Sequence, residues 1–180
     1  MWARTPHAGQ APVVRARVTI WIGRNVLDDL LEEAARCAPL ETGGVLLGWR
    51  TEDAVCITNM VGPGPDARHA RDSFSPDATW QSDQIALLYA RSGRRLAYLG
   101  DWHTHPGAVP VPSSRDRGTL RAIARHVPAR CPEPIMIILG QPRDEKWVVA
   151  GHTIRRDWWA RSLRTLQVPL RTATDLEGWD

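Results

Sequence analysis

The sequence predicts a single mixed α/β domain in which helices flank a β-sheet. The chain has 180 residues, enough to bury a substantial core without disulfides or structural metals. Its apolar residues alternate in some segments, as in half-buried strands, and follow i, i+3, i+4, i+7 spacing in others, as in amphipathic helices. Because these segments interleave without regular β-α-β alternation, the pattern favours a mixed sheet over a doubly wound parallel one.

The first third of the chain predicts a strand, a helix and a hairpin. Residues 13–22 alternate and predict the first strand. A helix is expected over 25–37 with Asn25 as its N-cap, since an Asn side chain can accept a hydrogen bond from a free N–H of the first turn. Segments 43–49 and 54–60 predict a hairpin. The apolar stripe expected on the helix consists of Leu27, Leu30, Leu31 and Ala34.

The rest of the chain predicts two more helices and three more strands. A Gly- and Pro-rich stretch opens a loop over 63–75, and a second helix is expected over 76–91 with Ser75 as N-cap. A short apolar strand over 96–101 leads directly to two histidines, and a third helix is expected after Ser113. The stripe expected on the third helix consists of Leu120, Ile123, Ala124 and Val127, and the last two strands are expected at 134–139 and 147–151.

The ends of the chain are expected to differ from the middle. We divide it into a flexible N-terminus (1–12), one domain (13–165) and a polar C-terminal tail (166–180). No apolar run is long enough to span a bilayer, and the N-terminal segment lacks the apolar core of a signal peptide. The three cysteines include no Cys-x-x-Cys pair, which favours reduced thiols. We therefore expect a cytoplasmic protein with no membrane partner.

The charge of the chain does not indicate nucleic-acid binding. The net charge is +3 and the pI is about 9.1, but the basic residues are scattered. A nucleic-acid surface needs a concentrated basic patch with stacking aromatics, so we expect no nucleic-acid partner. Lys146 is the only lysine among 23 Lys and Arg residues. Two explanations for the scarcity of lysine remain open. One is the codon usage of a GC-rich genome, and the other is that the protein functions alongside enzymes that acylate lysine amines.

The stretch 101–116 holds the candidate metal ligands and reads Asp-Trp-His-Thr-His-Pro-Gly-Ala-Val-Pro-Val-Pro-Ser-Ser-Arg-Asp. Side chains two apart on extended backbone point the same way, so His103 and His105 can meet one ion. Prolines prevent a helix before Ser113, and Asp116 then falls in the first turn of the third helix. Two imidazole nitrogens, one carboxylate oxygen and an open position suit a catalytic zinc, which makes water a usable nucleophile near neutral pH.

Each part of this pattern also has a plainer interpretation. A lone His-x-His is often a pair of exposed surface residues that bind no metal, and Ser113-x-x-Asp116 is also a capping-box pattern. Glu41 is the candidate proton carrier, because it lies between a helix end and a strand start and precedes two glycines that allow close backbone approach. It can equally be an exposed loop carboxylate, as most glutamates are. The combination at this spacing favours the metal site, and we expect none of the other histidines to be a ligand.

Together these motifs resemble those of the JAMM/MPN (JAB) zinc metalloproteases. Glu-Thr-Gly-Gly and an apolar strand ending in glycine occupy 41–48, His-Thr-His-Pro occupies 103–106 and Ser-x-x-Asp occupies 113–116, in the family's order. The order of elements is similar over about residues 14–155. The resemblance implies the cytidine-deaminase-like fold of that family. Thr104 stands where serine is commoner, which affects no essential position.

The resemblance also implies a role for each motif residue. His103, His105 and Asp116 would bind one zinc ion per chain. Glu41 would take a proton from the zinc-bound water and deliver it to the leaving amine. Ser113 would donate a hydrogen bond to the oxyanion of the tetrahedral intermediate. The resemblance thus implies an enzyme.

The substrates implied are protein conjugates. Family members cleave amide bonds after the C-terminal glycine of ubiquitin or ubiquitin-like proteins, often isopeptide bonds to lysine. The compact size and the run Gly-Asp-Trp-His-Thr-His-Pro at 100–106 are similar to prokaryotic stand-alone members, including deconjugating peptidases of bacterial ubiquitin-like and antiphage operons. The implied partners are a ubiquitin-like modifier, its conjugates, and cognate activating and conjugating enzymes. Two alternatives remain: a protease that processes a sulfur-carrier protein, and a non-catalytic MPN scaffold.

The loop from Pro63 to Ser75 is the candidate substrate-binding segment. An extended modifier tail could add to it as a strand. The segment is equally interpretable as an ordinary long surface loop.

Overall fold

The structure is a computed structural model that describes residues 18–143, 145–157 and 162–174. Its helices are α1 (Arg24–Cys37), α2 (Ala78–Arg91) and α3 (Ser114–Arg125), and a short 3-10 turn follows at Val127–Ala129. Its strands are β1 (Thr19–Gly23), β2 (Gly43–Arg50), β3 (Ala54–Val61), β4 (Arg68–His69), β5 (Phe74–Ser75), β6 (Ala97–Gly107), β7 (Ile135–Pro142), β8 (Val148–Asp157), β9 (Ser162–Val168) and β10 (Leu170–Ala173). The predicted flexible segment 1–12 lies outside the described residues.

Eight of these strands form one mixed sheet in the order β10-β1-β3-β2-β6-β7-β8-β9. The pairs β1/β10, β1/β3 and β6/β7 are parallel and the others are antiparallel. Among the described strands, β4 and β5 pair only with each other, within the segment predicted as a loop. The predicted single α/β domain with a mixed sheet and flanking helices is confirmed, as is the hairpin formed by β2 and β3.

Helix α1 covers one face of the sheet. Its Leu30 and Ala34 are fully buried in a cluster with Ile20 and Ile57, and Leu27 and Leu31 pack against the same cluster. The predicted stripe is therefore confirmed. Complete burial of a Leu or Ile side chain contributes about 1.5–3 kcal/mol, so this cluster supplies much of the driving force for folding.

Helices α2 and α3 cover the opposite face. Trp80 of α2 packs on Val45 of β2, and Leu120 of α3 packs on Met136 of β7. Adjacent positions on these strands belong to the α1 cluster, as alternation requires. We call this side of the sheet the α2/α3 face, and the strand ends between the two helices form the wall of the main cavity.

The helix starts correct two predictions. The N-cap of α1 is Gly23 rather than Asn25, and no side chain caps that helix. The N-cap of α2 is Asp77 rather than Ser75, because the Asp77 carboxylate accepts a hydrogen bond from the Trp80 N–H. Ser75 is instead paired in the small β4/β5 ladder.

The ends of two further segments also differ from the prediction. Helix α3 stops at Arg125, which leaves Val127 85% exposed rather than part of the apolar stripe. The polar tail expected from residue 166 is wrong for 166–173, which complete β9 and form β10. β10 pairs with β1, so long-range pairing orders a stretch whose composition is polar. Residues 175–180 of that tail lie outside the described residues.

No helix in the described part of the chain is long and apolar enough to cross a membrane.

Candidate active site

Strand β6 carries the two histidines on the α2/α3 face. Alternation along the strand directs His103 and His105 into a cavity. Trp102, which precedes the first histidine, and Thr104, which lies between the two, are buried on the other side of the sheet. The strand continues through the histidines to Gly107 and is therefore longer than the predicted 96–101. Both imidazoles are thus held by regular sheet backbone rather than by a loop.

The two imidazoles converge with a carboxylate. Nε2 of His103 lies 3.0 Å from Nε2 of His105 and 3.5 Å from Oδ1 of Asp116, and Nε2 of His105 lies 3.6 Å from Oδ2 of Asp116. Donor atoms on one tetrahedral ion with bonds of about 2.0 Å lie roughly 3.3 Å apart, so these separations fit a single ion. Among the described residues, this is the one group of His, Cys, Asp or Glu side chains placed to hold a metal.

The start of α3 positions Asp116. Ser113 is the N-cap, and its N–H donates to Oδ2 of Asp116 at 2.6 Å while the Asp116 N–H donates to Ser113 Oγ at 3.2 Å. Burial opposes ionisation of Asp116, but electrostatic interaction with the two nearby imidazoles, helped by the contact with Ser113, outweighs it and holds its pKa well below the usual range. The carboxylate is therefore anionic at any physiological pH, as a metal ligand must be.

Three hydrogen bonds fix the loop between β6 and α3. In each, a side chain donates to a backbone carbonyl: His105 Nδ1 to Val109 at 3.4 Å, His152 Nε2 to Pro110 at 3.0 Å and Arg117 Nη1 to Pro112 at 2.6 Å. Because a carbonyl only accepts, Nδ1 of His105 carries its proton and Nε2 is left with a lone pair facing the other ligands. Burial lowers the pKa of His152, in keeping with a neutral ring that orients the loop. Sequence reasoning left His152 without a role.

Glu41 lies in the wall of the same cavity. Its N–H donates to the Ala70 carbonyl at 2.7 Å, and its own carbonyl accepts from Nδ1 of His69 at 2.9 Å. The segment around β4 and β5 therefore anchors the backbone of Glu41. Burial raises the pKa of the Glu41 carboxyl, although the two nearby histidines act in the opposite direction. A carboxyl with a raised pKa is better suited to proton transfer near neutral pH.

The candidate substrate segment from Pro63 to Ser75 borders this cavity only in part. Three of its residues belong to the lining: Arg71, Asp72 and Phe74. Pro63 and Ser75, the two ends of the predicted segment, lie outside that lining. Pro63 is buried instead, and its carbonyl accepts a hydrogen bond from the Asp77 N–H at 2.9 Å, which ties the segment to the start of α2. Only this later part of the segment, within 71–74, borders the cavity among the described residues.

A pair of buried threonines joins the Glu41 segment to the histidine strand. Thr42 and Thr104 are both fully buried. The Thr42 N–H donates to Thr104 Oγ1 at 2.9 Å, and the Thr104 N–H donates to the Thr42 carbonyl at 2.9 Å. Thr104, between the two histidines, thus fixes the position of Thr42, the neighbour of Glu41. The sequence contained a signal for this, because alternation places Thr104 inward and a buried hydroxyl needs a partner.

The glycines after Glu41 are required by close packing of strands. A Cβ on Gly44 would lie 1.9 Å from the Val61 carbonyl oxygen and 2.8 Å from the Trp102 indole nitrogen. A Cβ on Gly43 would lie 2.5 Å from the Trp102 carbonyl oxygen. Both positions are in β2, between β3 and β6, so only glycine lets these strands bring Glu41 close to the histidines.

A second carboxylate, Asp101, lies on the histidine face of β6. An irregularity in the β2/β6 pairing at Gly100, where φ is +145°, places Tyr98 on the same side as Asp101. The Tyr98 hydroxyl donates to Asp101 Oδ1 at 2.6 Å. A Cβ at residue 100 would lie 1.9 Å from the Ile135 carbonyl oxygen, so the irregularity requires glycine. Burial raises the pKa of Asp101. Sequence reasoning missed this pair, because strand alternation alone separates the two side chains.

The cavity between α2 and α3 has a volume of about 780 Å³. All five residues singled out from the sequence contribute to its lining: Glu41, His103, His105, Ser113 and Asp116. Oγ of Ser113 caps α3 as an acceptor, which leaves its O–H free to donate to another group. A triad of side chains that could hold a metal ion, a half-buried carboxyl and a hydroxyl donor around one open cavity are the groups expected of a metal-dependent hydrolytic site.

Comparison with known proteins agrees with this class. The chain belongs to the family of prokaryotic homologs of the JAB domain, whose family model matches residues 23–159. It is an enzyme of the JAMM metalloprotease type.

Several curated relatives are similar over most of their length. The probable metalloprotease y4qB of Sinorhizobium fredii is 45% identical over 72% of this chain and 79% of its own length. A protein named CD-NTase/cGAS isopeptidase from Enterobacter hormaechei is 35% identical over 69% of both chains. A protein of the same name from Escherichia coli is 32% identical over 65% of this chain and 70% of its own.

A solved structure supports the fold. The solution structure of protein DSY2949 from Desulfitobacterium hafniense superimposes with a TM-score of 0.67 at 20% identity, over 89% of this chain and 97% of that chain. The shared architecture is thus retained at low sequence identity.

Proposed function

We propose that the protein is a zinc-dependent isopeptidase of a bacterial ubiquitin-like conjugation system, such as those of antiphage defence, and that it acts in the cytoplasm. It cleaves after the C-terminal residue of a ubiquitin-like modifier and thereby releases the modifier from target lysines or from its precursor. The observation that carries this proposal is the placement of Glu41 in one cavity with His103, His105 and Asp116. The names of the Enterobacter and Escherichia relatives support an isopeptide bond as the target.

The donor set fits zinc, since two imidazoles and one carboxylate leave a fourth tetrahedral position open. When bound, zinc polarises the scissile carbonyl and makes water acidic enough to act as a nucleophile. In this role His103, His105 and Asp116 hold the ion, and the Val109 carbonyl keeps the His105 ring in the required tautomer. The raised pKa of Glu41 lets it accept a proton and then return it to the leaving amine.

Ser113 acts on the substrate oxygen. Its hydroxyl lies at the rim of the cavity and keeps a donor hydrogen while it caps α3. In our proposal this hydrogen is donated to the oxyanion that forms when the amide carbonyl is attacked. The capping box fixes the hydroxyl before substrate arrives, which favours stabilisation of the transition state.

The later part of the segment from Pro63 to Ser75 receives the modifier tail in this proposal. Arg71, Asp72 and Phe74 of that segment line the cavity on the Glu41 side. Hydrogen bonds from the His69 ring to the Glu41 carbonyl and from the Glu41 N–H to the Ala70 carbonyl hold this wall next to the proton carrier. An extended tail that follows the segment would present its terminal amide between Glu41 and the metal ligands.

The test is cleavage of a defined conjugate. The ubiquitin-like protein encoded nearest to this gene is linked through its C-terminus to the ε-amine of a lysine peptide and incubated with zinc-loaded protein. We expect release of the intact modifier, with a mass that ends at its C-terminal residue, and no release by Glu41→Gln. A conjugate that lacks the last modifier residue serves as the matched control and should remain uncut. Failure of zinc-loaded protein to cut, or equal cutting by Glu41→Gln, contradicts the proposal.

Two parallel substrates address the alternatives. A sulfur-carrier protein with a short C-terminal extension tests whether the enzyme is a processing protease. If the enzyme cleaves this protein in preference to the modifier conjugate, the sulfur carrier is the substrate and the modifier is not. A non-catalytic scaffold would bind the modifier without zinc and without cleavage. The presence of all three ligands and Glu41 in one cavity disfavours the scaffold.

A further inference from the structure

A carboxylate near the end of α1, Glu33, contacts the segment that carries Glu41 from the face of the sheet opposite the cavity. Residues 38–42 connect α1 to β2, and Glu41 lies within this connection. The Thr42 hydroxyl donates to Glu33 Oε1 at 3.1 Å. Neither Glu33 nor Thr42 is among the residues that line the active-site cavity, whereas Glu41 is. Glu33 is therefore placed to act on Glu41 through Thr42, and it does not face a substrate in this cavity.

The Glu33 carboxylate is held in the orientation that faces Thr42. Arg36 Nε donates to Oε2 at 2.9 Å, and Arg36 Nη2 donates to Oε1 at 2.6 Å. The Cys37 thiol donates to Oε1 at 3.3 Å. The Glu33 side chain is 15% exposed and that of Arg36 is 63% exposed. An ion pair with so exposed a partner contributes little stability, so the contact with buried Thr42 is the one that bears on the site.

Every polar group of Thr42 takes part in a hydrogen bond. Its N–H donates to Thr104 Oγ1 at 2.9 Å, and its carbonyl accepts from the Thr104 N–H at 2.9 Å and from Thr104 Oγ1 at 3.4 Å. The bond to Glu33 engages the remaining group, the hydroxyl. Thr42 is fully buried, and a buried hydroxyl needs an acceptor. Loss of the Glu33 carboxylate would therefore favour a shift of Thr42 and of the backbone next to it.

Such a shift would reach the proton carrier. The Glu41 backbone is held on one side by the Ala70 carbonyl and the His69 ring, and on the other side it continues into Thr42. Proton transfer requires heavy atoms within about 2.6–3.2 Å of each other. A displacement of about 1 Å in an active site can cost about 10²-fold in rate. The support of Glu41 from Thr42 is therefore expected to matter more for kcat than for the fold.

We propose that Glu33 is a positioning residue for Glu41. Its carboxylate accepts from the Thr42 hydroxyl and thereby holds the proton carrier in its place beside the metal ligands. This inference rests on the proposed function, because it concerns the step assigned to Glu41. It extends the group of residues that support catalysis to the face of the sheet covered by α1.

The first experiment compares Glu33→Ala with Arg36→Ala on the lysine conjugate. Both variants abolish the ion pair between these residues, but only Glu33→Ala removes the acceptor of the Thr42 hydroxyl. We expect Glu33→Ala to lower kcat about 10-fold or more. KM and zinc content should stay at wild-type values, because the cavity lining and the three ligands are intact. Arg36→Ala should keep the kcat of wild type. An unchanged kcat in Glu33→Ala, or an equal loss in Arg36→Ala, overturns the inference.

Two further variants show whether Glu33 acts through Thr42. Thr42→Val removes the hydroxyl, so the addition of Glu33→Ala to Thr42→Val should cause no further loss of kcat. Glu33→Gln keeps an oxygen that can accept from the hydroxyl and should recover most of the kcat lost in Glu33→Ala. Kinetics are measured at a temperature at which melting curves show every variant folded. Losses that add in the double variant would show a route other than Thr42 and overturn the inference.

The second experiment tests the contact without catalysis, by hydrogen exchange of backbone amides in zinc-loaded protein without substrate. We expect Glu33→Ala to speed exchange in residues 41–44 about 10-fold or more, while the amides of β7 and β8 exchange as in wild type. Unchanged exchange in 41–44, or an equal rise throughout the sheet, overturns the inference and leaves the proposed function intact. Faster exchange confined to 41–44, in a protein whose wild type cuts no conjugate, overturns the proposed function and leaves the anchoring of this segment by Glu33 intact.

Discussion

Ser113 and Asp116 cap each other across the first turn of α3, through N–H···O bonds of 2.6 Å and 3.2 Å. The same Asp116 carboxylate faces the two imidazoles. Helix capping and metal binding, which were alternatives for the sequence pattern, are therefore compatible in one residue. The arrangement also leaves the Ser113 hydroxyl hydrogen available to substrate.

Replacement of Ser113 should separate capping from catalysis. We expect Ser113→Ala to lower kcat by about 10²–10³, the usual cost of one oxyanion donor. Loss of the cap should lower the free energy of unfolding by about 1 kcal/mol. Zinc content should remain that of wild type, because the three ligands are intact. Urea denaturation, metal analysis and kinetics on one preparation check these values. Ser114→Ala is the control, and an active Ser113→Ala would remove Ser113 from the mechanism.

Replacement of Thr104 should impair activity without loss of metal. Thr104→Val removes the acceptor for the buried Thr42 N–H, which costs about 1–3 kcal/mol of stability. Because Thr42 adjoins Glu41, we expect kcat to fall while zinc content is unchanged. Thr104→Ser keeps the hydroxyl and should restore kcat. If Thr104→Val loses zinc but Thr104→Ser does not, the hydroxyl supports the histidines rather than Glu41.

Asp101 should make the metal-free protein less stable as the pH rises. Burial raises its folded-state pKa above the ordinary value of 3.8, so the folded protein holds this proton more tightly than the unfolded chain does. Stability is therefore greatest below the unfolded pKa and decreases as the pH rises toward the folded one. Asp101→Asn should raise the melting temperature at neutral pH, and the gain should shrink as the pH falls toward about 4 and vanish below it. The exposed Asp83→Asn is the control. A gain that is independent of pH would indicate a packing effect instead.

Metal removal should destabilise the protein through the three ligands. Chelation should lower the melting temperature, and added zinc should restore it, because a ligand that binds only the folded state stabilises it. Each tenfold rise in free zinc above Kd adds about 1.4 kcal/mol. His105→Ala should melt at the same temperature with and without chelator. If neither chelator nor zinc changes the melting temperature of wild type, zinc binding does not stabilise the folded protein and this prediction is wrong.

Local patterns in the sequence predicted much of the fold and of the candidate site. The stripe of α1, the hairpin and the histidine strand follow from periodicity, and Ser113 was recognised as a cap. The residues that hold the site in place were not predicted. The Thr42–Thr104 pair spans 62 positions, and the Tyr98–Asp101 pair depends on an irregularity at Gly100. Likewise β10 is ordered by pairing with β1 rather than by its own composition. Contacts between distant segments determine these features, and local propensity does not report them.

The most direct test of the account measures zinc content and conjugate cleavage on the same samples of wild type, Glu41→Gln and His105→Ala. We predict one zinc per chain with cleavage in wild type, one zinc per chain without cleavage in Glu41→Gln, and neither zinc nor cleavage in His105→Ala. Cleavage by metal-free wild type, or undiminished cleavage by zinc-loaded Glu41→Gln, would contradict the account.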